Sequence, residues 1–159
     1  MGDEAGAYVR CEERQRGRYF VVSLSDIVQG MKRIFMTRAF ARWLRRSAVS
    51  ETALSIAVAE MSGGLVDADL GGGVLKKRVP VPGRGKRGGA RTLVATNRDD
   101  RWFFVFGFEK NERSNITARE LEALQALATT LLGFSATELE AQLKQPLLKE
   151  IPDDQGANH

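Results

Sequence analysis

The segment RWFFVFGF, Arg101–Phe108, constrains this chain more than any other stretch. Apart from Arg101 and Gly107 it is wholly apolar, and it is rich in the aromatic residues that favour strands. A run without polar alternation belongs at the centre of a sheet. A turn at Asn97–Asp100 precedes it, and before that turn Arg91–Thr96 reads as a strand. The loop PVPGRGKRGG, long, basic and glycine-rich, separates that strand from another at Val74–Val79. Successive strands joined in this way run antiparallel.

Helical periodicity brackets the sheet. Lys32–Met36 reads as a short strand, followed by a helix over Ala39–Ser47 with Phe40, Trp43 and Leu44 on one face and Arg38, Arg42, Arg45 and Arg46 turned outward. Ser50 is an N-cap for a second helix, Glu51–Met61, whose Leu54, Ala57, Val58 and Met61 recur at helical spacing before Gly63 and Gly64 end it. Two such helices in succession predict a hairpin. Thr117 and Glu120 form a capping box for the longest helix, lined by Leu121, Leu124, Ala128 and Leu131; Ser135 and Glu138 repeat the box for a last helix ending near Gln145. The fold class is α+β: a compact antiparallel sheet of three to four strands, an N-terminal helical hairpin and C-terminal helices. Residues 1–30 read as an N-terminal extension upstream of Met31, an alternative start that would leave them untranslated, residues 31–145 as the folded domain, and 146–159 as a C-terminal tail.

Composition removes whole classes of chemistry. The chain has 159 residues, enough for one well-packed core. Its one cysteine, Cys11, forms neither an internal disulfide nor a Cys-based zinc cluster, and its one histidine, His159, makes imidazole catalysis improbable. No run approaches the ~20 apolar residues of a membrane span, and no export signal is recognisable, so the expected compartment is the cytoplasm and no membrane is involved.

The net charge of +4 conceals strong segregation. Residues 31–50 hold 6 basic and 0 acidic groups, and residues 73–113 hold 11 and 4; the intervening 51–72 hold 0 and 4. Two basic blocks are the footprint of a protein that meets phosphates. Within the second block, Lys76 and Arg78 share one face of their strand, while Lys77 shares the other with Leu75 and Val79. Arg84, Lys86 and Arg87 crown the loop, Arg91 opens the next strand, and Lys110 and Arg113 follow the apolar one. If the strands are neighbours, one concave face gathers up to eight cations. That face would hold a phosphodiester and stabilise a pentacovalent phosphorane without a metal or other cofactor, with the RNA 2′-hydroxyl as nucleophile. The glycine patterns are weaker signals. Gly71–Gly73 enters a strand and opens no helix, so it is neither a dinucleotide fingerprint nor a Walker loop. Gly85-Lys86-Arg87-Gly88 matches a KH-type GxxG but joins two strands.

From Met31 to Leu132 the chain also resembles the RelE-type, HigB-like toxins of bacterial type II toxin–antitoxin modules, in the RelE/ParE superfamily. The resemblance is carried by IFMTRAFARW, by LVDADLGGGVLKKRVPVPGRGKRGGARTL and by FFVFGFEKNERSNIT. It implies ribosome-dependent cleavage of mRNA, no cofactor, and a cognate antitoxin of helix-turn-helix type in a toxin–antitoxin hetero-oligomer. It also implies roles for residues: Arg91, Lys86, Arg78 and Lys110 as catalytic, and Lys76, Lys77, Arg84, Arg87 and Arg113 as RNA-binding. Ala90 stands where the family has an aromatic residue, and Asn111 and Thr117 where its best-studied branch has arginine and tyrosine. Two alternatives remain at this point: a ParE-like toxin acting on another target such as DNA gyrase, and a catalytically weak module that binds nucleic acid or antitoxin.

Overall fold

A computed structural model describes residues 8–13, 18–23 and 32–152, with backbone alone at 8–13, 18–23 and 85–87. The chain divides into two units, Met1–Lys32 and Arg33–His159. In the first, β1 (Tyr8–Glu13) and β2 (Arg18–Ser23) form an antiparallel hairpin in register from Tyr8↔Ser23 to Glu13↔Arg18. Residues 1–7, 14–17 and 24–31, which carry the rest of the expected extension, lie outside the described residues.

The second unit is built on β3 (Arg33–Thr37), α1 (Arg38–Arg46), α2 (Glu51–Ser62), β4 (Ala68–Gly71), β5 (Val74–Val81), β6 (Gly85–Thr96), β7 (Arg101–Glu109), α3 (Ala118–Leu132), α4 (Ala136–Lys144) and β8 (Leu148–Ile151). Its sheet has six strands in the order β4-β5-β6-β7-β3-β8. It is mixed: β3 runs parallel to β7, with Arg33↔Arg101 to Met36↔Phe104 in register, and the other pairs are antiparallel. This corrects the expected antiparallel sheet of three to four strands. β4 adds one edge, and β8, formed by residues expected in the tail, adds the other through Ile34↔Ile151 and Thr37↔Leu148.

Helices cover both faces. Ile34, Met36, Leu75, Val79, Val94, Trp102 and Phe104 meet Phe40, Trp43 and Leu44 of α1 and Leu54, Val58 and Met61 of α2. On the opposite face Phe35, Val74, Leu93, Phe103 and Val105 meet Leu124, Ala128 and Leu131 of α3 and Leu139 of α4. The apolar run of β7 is therefore buried on both sides, which explains why it has no polar alternation. α1 packs chiefly on β7 and α2 on β5, so the expected hairpin is a pair of helices seated on different strands of one face. Gly107 lets α1 come close: a Cβ there would lie 2.5 Å from the Trp43 ring.

The caps fall where the sequence places them. Ser50 Oγ accepts from the Ala53 amide at 3.1 Å, and the boxes Thr117–Glu120 and Ser135–Glu138 are complete. The loop 80–89 is far shorter than expected. Gly83 at φ +84° and an Arg84 amide bond to the Val81 carbonyl at 2.9 Å make a tight turn, and β6 already begins at Gly85. Gly71–Gly73 likewise forms a fixed turn. All three have positive φ, and Gln125 of α3 donates to the Leu70 and Gly71 carbonyls, both at 3.2 Å.

Candidate nucleic-acid interface

Strand alternation and register together decide which cations meet. On the α3/α4 face, Val74 is followed by Lys76 and Arg78 on β5, and Leu93 is preceded by Arg91 on β6. The register sets two rows across the sheet, Arg78–Arg91–Phe108 and Lys76–Leu93–Phe106. Lys76, Arg78 and Arg91 thus stand together where α3 no longer covers the sheet. Arg78 is exposed and Arg91 half-buried, and the Arg91 Nη1 donates to the Gly89 carbonyl at 3.3 Å. Asp67 steadies Arg78, accepting from its backbone amide at 2.7 Å and lying 3.5 Å from its Nε.

The wall of this face is the segment between β7 and α3. The Arg113 guanidinium lies 5.7 Å from the Phe106 ring centre and 5.8 Å from that of Phe108, over the aromatic ends of both rows. It donates to both carboxylate oxygens of Glu120, and its Nε donates to the Asn115 carbonyl at 3.1 Å. Hydrogen bonds from Arg113 first, and from the Thr117 amide next, hold the Glu120 carboxyl below its ordinary range. Lys76 Nζ closes the wall by donating to Asn115 Oδ1 at 3.3 Å. One capping glutamate therefore orders the helix start and fixes the arginine that shields the aromatic rows.

The expected site residues separate into groups. Arg78, Arg91 and Lys76 come together on one face. Lys110 is exposed just past β7. Arg84 binds Glu109 at 3.3 Å with its side chain 46% exposed. Arg113 is committed to Glu120 and the two rings, so it shapes the wall and offers little free charge to RNA. The side chains of Lys86 and Arg87 lie outside the described residues. Lys77, expected to bind RNA, is instead buried at 2% exposure. Its Nζ bonds Glu60 of α2 at 2.8 Å and the Leu65 carbonyl at 3.0 Å. The reason is the alternation itself, which turns Lys77 under α2.

Thr117 is equally occupied: its Oγ1 accepts from the Glu120 amide at 3.0 Å as the cap of α3. Sequence reasoning missed Asn115, Phe106 and Phe108 as parts of the site. The capping box was a signal for Glu120, but nothing local announced its second bond to Arg113.

A cluster of fixed guanidinium and ammonium groups beside an aromatic platform can hold a phosphodiester and stabilise added negative charge on it. No curated protein matches the chain. The family model described as the RelE toxin of the RelE/RelB toxin-antitoxin system matches residues 32–151. That span takes in β3 through β8 and every residue of the cationic face, and the chain belongs to the RelE toxin family.

Proposed function

We propose that this toxin is an endoribonuclease that cleaves mRNA on the ribosome. The observation that carries the reading is the row Arg78–Arg91–Phe108, with Lys76 beside it on the same face. Like charges directly opposite across two strands weaken a sheet, so such a pair serves a ligand better than it serves stability. The scissile phosphate sits between Arg78 and Arg91, and Lys76 neutralises a neighbouring phosphate. Lys110, with Arg84 of the β5–β6 turn and Lys86 and Arg87 at the start of β6, extends the contact. The adjacent 2′-hydroxyl attacks phosphorus, the 5′-oxygen of the next nucleotide leaves, and a 2′,3′-cyclic phosphate remains. The guanidinium groups stabilise the extra charge of the phosphorane on the way.

Proton transfer is the step this face is least equipped for. Thr117 is a cap, Glu109 is held by Arg84, and Glu112 Oε1 accepts from the Glu109 amide at 2.7 Å. The proton released by the 2′-hydroxyl and the one taken up by the leaving 5′-oxygen are therefore exchanged with groups of the decoding site, which also supplies the in-line alignment that flexible mRNA seldom adopts unaided. A cognate antitoxin keeps the toxin silent in a hetero-oligomer, and the setting is the cytoplasm. Purified protein incubated with mRNA alone should give negligible cleavage, and translating ribosomes should bring codon-phased cuts. Equal rates with and without ribosomes would overturn the ribosome dependence, and arrest of growth with intact mRNA would overturn the nuclease.

A further inference from the structure

The two polar atoms of the Asn115 side chain have unequal fates. Its Oδ1 accepts from the Ile116 amide at 2.9 Å and from Lys76 Nζ at 3.3 Å. A carboxamide oxygen has two lone pairs, and these two donors take both. Neither donor can accept, so the pair also decides which end of the amide is oxygen. The Nδ2 group lies on the other side of Cγ and donates to no group among the described residues. Asn115 is exposed, which leaves an amide donor in solvent beside an ammonium.

An exposed amide bonded to water is ordinary; this one is set apart by how firmly it is aimed. The Asn115 carbonyl accepts from Arg113 Nε at 3.1 Å, and the Thr117 amide donates to Glu120 Oε1 at 2.8 Å. Between them Ile116 packs against the core on the α3 side of the sheet. The backbone is thus tied down on both sides, and the side chain is tied to β5 through Lys76. Its orientation is set before any ligand arrives, so a contact made by Nδ2 would cost little further ordering.

We propose that Asn115 is an RNA-contacting residue, whose Nδ2 donates to a non-bridging oxygen of the phosphate that Lys76 neutralises. The proposal rests on the endoribonuclease reading and adds a neutral donor to its cations. A phosphate oxygen is the fitting acceptor on two grounds. Lys76 Nζ is bonded to the same carboxamide, so a phosphate drawn to the ammonium comes within reach of Nδ2. Reading a base edge, as asparagine reads adenine, takes both ends of the amide, and here the oxygen is already occupied. A single remaining donor suits the backbone, where asparagine commonly meets phosphate.

The test uses the full chain and a short labelled single-stranded RNA, which the free protein should bind without cutting, followed by fluorescence anisotropy across salt concentrations. Asn115→Ala should weaken binding about fivefold and leave the logarithmic salt slope unchanged, because a neutral donor releases no counterion. Lys76→Ala should instead reduce the slope by about 0.7. In a Lys76→Ala background Asn115→Ala should still weaken binding about threefold or more. Asn115→Asp is the sharpest arm. It keeps both accepted bonds, and with them the thermal midpoint, but turns an acceptor-only carboxylate toward the phosphate, so it should bind more weakly than Asn115→Ala. An aspartate variant that binds as well as the unaltered chain would overturn the proposal and leave Asn115 a purely structural residue. So would an Asn115→Ala effect that vanishes without Lys76 or lowers the slope as Lys76→Ala does, since Asn115 would then act only by positioning the lysine. Binding weakened by Lys76→Ala and Arg91→Ala but not by Asn115→Ala would remove Asn115 and leave the cationic face standing, and binding indifferent to all three would overturn both. The expected binding pattern without ribosome-dependent cleavage would keep the contact and remove the nuclease.

Discussion

Arg78 and Arg91 are direct cross-strand partners, and Phe108 follows Arg91 in the same row on the next strand. Their side chains share the face that holds Lys76, so two guanidinium groups and an ammonium converge on one patch of sheet. Arg91→Ala should therefore abolish growth arrest on expression and leave the circular dichroism spectrum and melting unchanged. Loss of one well-placed donor to a developing oxyanion costs about 10²–10³ in rate. Arg78→Ala should fall in the same range, and full toxicity in either variant would place the site elsewhere.

Lys77 makes the opposite prediction although it is next in sequence to both Lys76 and Arg78. Its ammonium is enclosed between Glu60 and the Leu65 carbonyl. Lys77→Ala should cost about 2–3 kcal/mol of stability by breaking a largely buried charge pair, measured by urea unfolding. Cleavage per folded molecule should not change.

At Gly107 the contact with α1 leaves no room for a methyl group. Gly107→Ala drives a Cβ to 2.5 Å from Trp43 Cε3 and Cζ3, and Trp43 is itself packed against Phe40 with ring centres 5.3 Å apart. Overpacking of this kind costs about 1–3 kcal/mol. A compensating Trp43→Leu should recover part of the loss, which a strain in the β7 backbone alone would not permit.

Acid should loosen the wall of the site. Glu120 has its carboxyl held below the ordinary value of 4.5, chiefly by Arg113. The sign follows from that depression: the stabilisation is complete above about pH 4.5 and is lost as pH falls through the lower, folded-state value. Thermal midpoints measured from pH 6 downward should fall less steeply in Glu120→Gln than in the unaltered chain, and identical slopes would exclude Glu120 from the acid response.

The tail after Pro146 is the sharpest structural departure from the sequence pattern. Leu148 and Ile151 are 4% and 2% exposed beneath the helices. A chain ending at Gln145 should lose about 3–6 kcal/mol, the burial of two aliphatic side chains, and should aggregate through the bared edge of β3.

What was legible in the sequence is what is local. Caps, the amphipathic faces of α1, α2 and α3, and the apolar centre of β7 follow from spacing alone, and the alternation of Lys76, Lys77 and Arg78 gave their two faces correctly. Placing Lys77 in the interface went wrong because alternation says where a side chain points and not what covers it there. β4 and β8 are four residues each, too short for a periodicity to register. The parallel pairing of β3 with β7 is invisible to any local pattern, since Arg33 and Arg101 meet only in the finished sheet. The Arg113–Glu120 clamp was hidden for a related reason: the capping box accounts for Glu120 fully, so nothing local asks for another partner.

The same insertion of β3 between β7 and β8 sets the order in which a newly made chain becomes a toxin. β3 leaves the ribosome before its two neighbours exist, and it waits for Phe103 and Phe104 on one side and for Leu148–Ile151, near the end of the chain, on the other. Pairings between such distant segments are the slow part of folding. The cationic rows are anchored on β7, whose far side is closed by β3, so the face proposed to meet RNA is completed only once β3 has found its neighbours. A chain in which β3 still waits for its neighbours is thus unarmed, and an antitoxin made alongside has that interval in which to reach it.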